Sequence, residues 1–334
     1  MAAPGNAQRN VALDFTKGML VLLMILYHWM THFTNTEEYA YRYLRFITPS
    51  FIFITGFLIA NIYLSKYQIG DPRLHKRLLQ RGLKLLALFT LLNVIGAFAF
   101  ARHSPKGGSG LDVFFQNAGS TFGTGNGTAA AFSVLVPISY VLILSSVLLW
   151  PCKWHRLFLH EICLFLFLGI FLLHLKGYQS ANLELFTAGL LGMVLGQMSL
   201  DRIDRLCRHP VALLITYGAY LLALHTWGEI YPLQLVGVCL SLLMMYLLGK
   251  GSVRPLRFVP GIALLGRYSL FAYIAQIGII LLLGAGLRRL NLGHGTLVLS
   301  LVGAFALTIL FVVVTDYARA RMRTVDWVYR TVFA

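Results

Sequence analysis

Residues 9–32 read RNVALDFTKGMLVLLMILYHWMTH. Arg9, Asp14 and Lys17 come first; nine apolar residues then run from Gly18 to Leu26 and deliver Tyr27 and His28. An apolar stretch of this length predicts a membrane-spanning helix. Ionisable side chains inside such a span are costly and mark function by default. On a helix, Lys17 and His28 sit ~20° apart around the axis and ~16 Å apart along it. Asp14 falls on the same stripe, ~40° from His28. One helix face therefore carries an acid and a base at its entry and an imidazole deep inside. The run is too long for a signal peptide and no small-residue cleavage site follows, so it is expected to stay as an uncleaved anchor.

The rest of the chain repeats the apolar signal. Of 334 residues, 58% are hydrophobic and only 12% charged, against about a quarter charged in soluble domains. The expected fold is all-α: a polytopic integral membrane protein of about ten transmembrane helices. The spans fall near 11–33, 43–65, 82–101, 129–150, 157–175, 182–199, 211–226, 231–249, 260–287 and 296–317. A net charge of +16 invites a nucleic-acid reading. The basic residues, however, cluster in short loops, as orientation by positive charge requires, so no nucleic-acid partner is expected. With both termini cytoplasmic, only Arg42, Arg45, Arg102, Lys106, Lys176, Arg288 and Arg289 of the 28 Lys and Arg fall outside. Residues 1–334 read as one membrane domain with no soluble accessory domain. Cys152, Cys163, Cys207 and Cys239 show no metal-ligand spacing and are expected to be free thiols.

Among the inner loops, 66–81 reads KYQIGDPRLHKRLLQR and continues to Lys84. Arg77, Arg81 and Lys84 fall on one helical face. Orientation and headgroup contact account for such charge; a phosphorylated ligand is the sharper alternative. The outer loop 102–128, rich in Gly, Ser, Thr and Asn, either covers a site or serves as a linker.

Several polar residues fall inside the spans. Pro49 predicts a kink that Thr48, Ser50 and Thr55 help to satisfy. Gly189, Gly192 and Gly196 predict close helix packing. His174, Glu184, His225, Glu229 and His294 sit near outer span ends, where interfacial solvation explains them. His28 and His32 have a zinc-compatible spacing but no third ligand, so no metal is expected. His28 is left as a packing residue, a general base or a proton-relay residue. In the ninth span Ser269, Tyr273 and Gln276 recur at i, i+4 and i+7. They form a polar stripe that either bonds between helices or lines a substrate path.

Three stretches together resemble the integral-membrane acyltransferases of acyltransferase family 3, within the transmembrane acyltransferase group that includes glucan succinyltransferase and heparan glucosaminide acetyltransferase types. The first is Arg9, Asp14, Lys17, Gly18 and His28, like the family's basic residue, ten residues, then His. The second is FIFITGFLIA at 51–60, with Thr55 where Ser is usual. The third is LGRYSLFAYIAQ at 265–276, with Gln276 where His is common. The resemblance implies transfer of an acyl group, usually acetyl from acetyl-CoA, to a hydroxyl of an extracytoplasmic carbohydrate.

Carried over by residue, His28 is the catalytic base or acyl-relay residue, with Lys17 its motif partner and Asp14 on the same face. Arg77 and Arg81 stand for the family's paired cytoplasmic arginines, spaced R-x3-R in place of R-x2-R, and Lys84 extends that donor site. Ser269, Tyr273 and Gln276 would line the substrate path. The expected partners are membrane lipid and a glycan or glycolipid acceptor, and the expected location is the plasma (inner) membrane. The rival from another class is a proton-coupled transporter or exporter, in which Asp14, Lys17 and His28 relay a proton. A passive scaffold leaves the polar face of the first span unexplained.

Overall fold

A computed structural model describes residues 10–34, 39–100, 114–126, 132–155, 157–250, 258–287 and 294–333. Arg9, Arg102, Lys106, Arg288, Arg289, loop 251–257 and much of loop 102–128 lie outside the described residues. Within them every long element is a helix: α1 Val11–Phe33, α2 Ile47–Leu58, α3 Pro72–Phe100, α4 Leu135–Leu148, α5 Phe158–Leu175 and α6 Ala181–Gly196. There follow α7 Pro210–Trp227, α8 Tyr231–Lys250, α9 Val259–Arg267, α10 Ser269–Leu287, α11 His294–Arg321 and α12 Arg323–Phe333. In hydrocarbon a helix is the economical answer, because each backbone N–H and C=O finds its partner inside the segment.

Eight helical segments among the described residues are long and apolar enough to cross a bilayer, or nine if α6 and Leu200–Leu206, bent by 98°, count as one span. The apolar helix α4 is shorter. The protein is thus an all-α, polytopic integral membrane protein.

By packing, the chain divides into two compact units: residues 1–47, 209–228 and 239–334 form one, and residues 48–208 and 229–238 the other. In the first, Asn10 caps α1 by accepting from the Leu13 N–H at 3.1 Å. Backbones touch where α1 meets α9. A Cβ placed on Gly18 would fall 1.9 Å from the Ile262 carbonyl oxygen, and one on Gly266 1.7 Å from that of Asp14. With little hydrophobic drive between helices in lipid, such glycine contacts supply packing.

The same unit departs from the expected span at 260–287, which is two helices. Ile262 lies on Gly18 and Gly266 on Asp14, so α9 runs against α1. Tyr273 then meets His28 and Gly284 meets His32, so α10 runs with α1. The chain turns back at Tyr268 (φ −104°, ψ 22°), whose N–H is shared between the Leu264 and Leu265 carbonyls. Its hydroxyl donates to Asp316 Oδ1 at 2.6 Å and accepts from Arg319 Nη1 at 3.0 Å, which ties the turn to α11.

The tail after α11 forms α12. Arg319 holds it, donating from Nε and Nη2 to Asp326 Oδ1 at 3.0 and 2.7 Å, with its guanidinium 3.9 Å over the Tyr329 ring.

In the second unit, α2 and α6 meet through glycine. A Cβ on Gly56 would strike the Gly189 carbonyl oxygen at 1.9 Å, and one on Gly192 that of Phe53 at 2.0 Å. The close packing expected of Gly189 and Gly192 is present. α2 passes through a π-helical turn, Ile59–Tyr63, into Leu64–Lys66. α3 begins well before the expected 82–101 span. Asp71 Oδ1 accepts from the Arg73 N–H at 2.8 Å and Pro72 opens the first turn, so the basic stretch expected as a loop is helical. Proline fits that position because its missing N–H would have no helical partner. Of the outer loop, Ala118–Phe122 is a short helix, and Asn182 Nδ2 donates to the Thr121, Phe122 and Gly123 carbonyls at 3.0–3.2 Å.

Candidate active site

The polar face of α1 divides into two clusters. At its entry Asp14, only 4% exposed, pairs with Lys17 Nζ at 2.8 Å. Arg267 Nε stands 4.0 Å from the other carboxylate oxygen. The glycine contact explains this third member, since Gly266 lets the end of α9 reach the Asp14 backbone and so places Arg267 beside its carboxylate. Removing one member of a buried ion pair leaves its partner stranded, so the group acts as a clasp on α1 and α9.

The second cluster begins ~16 Å further along α1. His28 Nε2 is buried and has no hydrogen-bond partner among the described residues. Its ring centroid lies 6.1 Å from that of Tyr273 on α10, and 5.3 Å from that of Tyr27. Down α10, Tyr273, Gln276, Ile280 and Gly284 follow one another on a single stripe. The first meets His28; at the last, an added Cβ would fall 2.4 Å from His32 Nε2.

Gln276 lies between them on that stripe and is fully buried, yet neither its Oε1 nor its Nε2 has a hydrogen-bond partner among the described residues. Buried polar groups are nearly always satisfied, and exceptions call for an explanation such as a ligand or catalytic role. Here three such atoms belong to one helix seam: an imidazole nitrogen able to accept a proton and a carboxamide able both to donate and to accept.

The remaining candidates are placed as follows. Ser269 is the first residue of α10, half-buried beside the turn at Tyr268. Arg77, Arg81 and Lys84 lie on α3, exposed, in the other unit. Arg81 Nη1 donates to the Tyr63 hydroxyl and Arg77 lies 5.3 Å over the Tyr67 ring. The R-x3-R spacing thereby matches two tyrosines also four residues apart, the first of them in the π-helical turn. Also in that unit, His174 Nε2 bonds Glu184 Oε1 at 2.8 Å, a closer pairing than interfacial solvation implies.

The Tyr268–Asp316–Arg319–Asp326 network escaped the sequence reading. One signal was present, because Asp316 is an acid within the last expected span. Outside the spans, hydrogen bonds from Arg319, aided by Arg330, hold the Asp326 carboxyl below the usual carboxylate range.

Apolar helices enclosing a buried imidazole and carboxamide that lack partners among the described residues define a polytopic membrane protein with a polar cluster between its helices. Comparison with protein families is consistent with that class and narrows it. Residues 10–317 match the Acyltransferase domain of acyltransferase family 3, nearly the whole chain. The chain belongs to that family and is a membrane acyltransferase. No curated protein and no solved structure matches it.

Proposed function

We propose that the protein moves an acyl group, acetyl in the first instance, from acyl-CoA to a hydroxyl of an extracytoplasmic glycan or glycolipid, with His28 as general base. The observation that carries this reading is the unpartnered Nε2 of His28 beside Tyr273, with the unpartnered carboxamide of Gln276 on the same stripe of α10.

With its proton on Nδ1, His28 accepts the acceptor's hydroxyl proton at Nε2 as that oxygen adds to the thioester carbonyl. Gln276 Nε2–H, or the phenol of Tyr273, donates to the oxyanion that forms. Collapse breaks the carbon–sulfur bond, the ester stays on the acceptor, and the proton on His28 passes to the thiolate to give free CoA. The phosphates of the donor fall to Arg77, Arg81 and Lys84, since guanidinium and ammonium groups are their usual partners. Lys17 and Asp14 serve by holding α1 in place. Cytoplasmic termini in a plasma (inner) membrane put the basic turns of α3 on the side where acyl-CoA is made.

The test uses the purified full chain, labelled acetyl-CoA and lipid-linked glycan. CoA release and label on glycan are expected from the wild type, with a fall of roughly 10²–10⁴ in His28→Ala. CoA alone should raise the thermal unfolding temperature, an effect lost in the Arg77→Gln/Arg81→Gln variant. Equal inertness of wild type and His28→Ala, together with label moving down a gradient across vesicles, would identify a transporter instead. No shift at millimolar CoA would remove the donor site.

A further inference from the structure

α3 carries a second basic face that the acyl donor does not use. Its buried side consists of Leu74, Leu78, Gly82, Phe89 and Asn93, with Gly82 pressed on Ser139 and Ile143 of α4. About 130° round the helix lies the centre of a shallow apolar groove. Leu83, Leu86, Ala87, Thr90, Leu91 and Val94 line it, and its volume is about 540 Å³.

Towards the start of α3 the same stripe ends in cations. Lys76 falls within ~10° of the groove's centre line and Arg73 within ~70°, whereas Arg77 and Arg81 lie ~110–150° away. Those two arginines face Tyr67 and Tyr63, while Arg73 and Lys76 are exposed. α3 contains no acidic residue anywhere along its length.

The dimensions are informative. Leu83 to Val94 spans ~16 Å of helix, close to half of a hydrocarbon core of about 30 Å. The groove is therefore one leaflet deep. Lys84, ~90° from the groove's centre line, belongs with Arg77 and Arg81 on the other face.

We propose that this face is a binding site for one anionic phospholipid, its phosphate held by Arg73 and Lys76 and an acyl chain lying along Leu83 to Val94. The charge at one end and the leaflet-length apolar track select an anionic headgroup joined to a chain over a free phosphate or a neutral lipid. The site is separate from the donor arginines and does not rest on the acyl-transfer reading.

The test is native mass spectrometry of the full chain in neutral detergent, titrated with phosphatidylglycerol or phosphatidylcholine of identical chains. The first phosphatidylglycerol is expected to bind about thirtyfold more tightly than phosphatidylcholine, from two cations acting on one anionic headgroup. Inorganic phosphate should not compete. Arg73→Gln/Lys76→Gln should bring both lipids to the same affinity while leaving CoA stabilisation and lipid-free unfolding unchanged. Ala87→Trp, which fills the track, should weaken both lipids. Equal affinities in the wild type would overturn the proposal, as would a preference that survives the double substitution or binding untouched by Ala87→Trp. Cross-linking of Leu91→Cys between two copies, unaffected by added phosphatidylglycerol, would assign the groove to a second copy of the chain and overturn it as well.

Discussion

Replacing Gln276 by leucine should make the resting protein more stable and far less active. The side chain is fully buried and both of its polar atoms lack hydrogen-bond partners among the described residues. A buried, unsatisfied polar group costs roughly 1–3 kcal/mol. Leucine has nearly the same volume, fits a helix well and carries no polar atom, so Gln276→Leu removes that cost without opening a cavity. A gain of about 1–3 kcal/mol is expected, the upper end applying if both atoms are equally deprived. If the carboxamide donates to the oxyanion, the same change costs about 10²–10³ in turnover.

The assay pairs unfolding in mixed micelles, followed by intrinsic fluorescence against the mole fraction of denaturing detergent, with CoA release at saturating donor. Gln276→His places there the residue common in the family and should retain more activity than leucine. Two results would refute the reasoning. Loss of stability in Gln276→Leu would mean the carboxamide is satisfied in the resting state and is structural. Wild-type turnover in that variant would mean the seam between α1 and α10 is not where chemistry occurs.

Other outcomes follow from the helix contacts and from the terminal helix. Gly18→Ala and Gly266→Ala should each destabilise by about 1–3 kcal/mol or more, because the new methyl overlaps a backbone oxygen that only a helix shift can relieve. Gly278→Ala and Gly286→Ala meet no atom within 4 Å and should be close to neutral in the same unfolding assay. The docking of α12 should depend on acid. Arg319 lowers the carboxyl of Asp326 in the folded state, so its contribution is complete above the ordinary value of about 3.9 and fades as pH falls through the lowered one. Protection factors of the α12 amides, taken against the intrinsic exchange rate at each pH, should fall over that acid range in the wild type. In Asp326→Asn they should be low already at neutral pH and flat with pH; an unchanged titration in that variant would assign the effect to another group.

Much of the fold was legible because lipid imposes one rule, an apolar run as long as the hydrocarbon core. The features that escaped notice are those where this rule is silent. The run at 260–287 contains one charged interruption, Arg267, and hydropathy averages over it. The reversal there depends on Gly266, on α1 and on Asp316 of α11, all contacts from elsewhere in the chain. The early start of α3 was written in Asp71 and Pro72, a cap and a first-turn proline. The density of charge nevertheless favoured a loop, and a helix that rises out of the bilayer keeps its basic residues wet at no cost. α12 shows an amphipathic pattern, with Val325, Tyr329 and Phe333 along one face, but it is too short and too polar to register as a span. In the candidate site the sequence placed His28, Tyr273 and Gln276 on polar stripes. It had no means of showing that the last of these lacks a partner, since satisfaction is a property of neighbours.

The two clusters on α1 also bear on how its face works. A proton relay from Lys17 to His28 requires donors and acceptors within hydrogen-bond reach of one another, at steps of about 3 Å. On the stripe between them stand Val21 and Met24, both buried and neither able to carry a proton under these conditions. α1 therefore offers no relay along its own length, and the ~16 Å interval is an apolar gap. The ion pair is better explained by what it touches: it sits where α9 runs against α1 and anchors Arg267 at the end of the reversed helix. A charge pair that fixes this reversal also sets where α10 begins, and hence which α10 residues stand beside the imidazole. The spacing from Lys17 to His28 then measures the distance from the clasp to the seam. On this argument, Asp14→Asn should impair the site through the position of α10, lowering stability and turnover together. A change in the pH dependence of turnover, with stability intact, would restore a direct role for the pair in proton transfer.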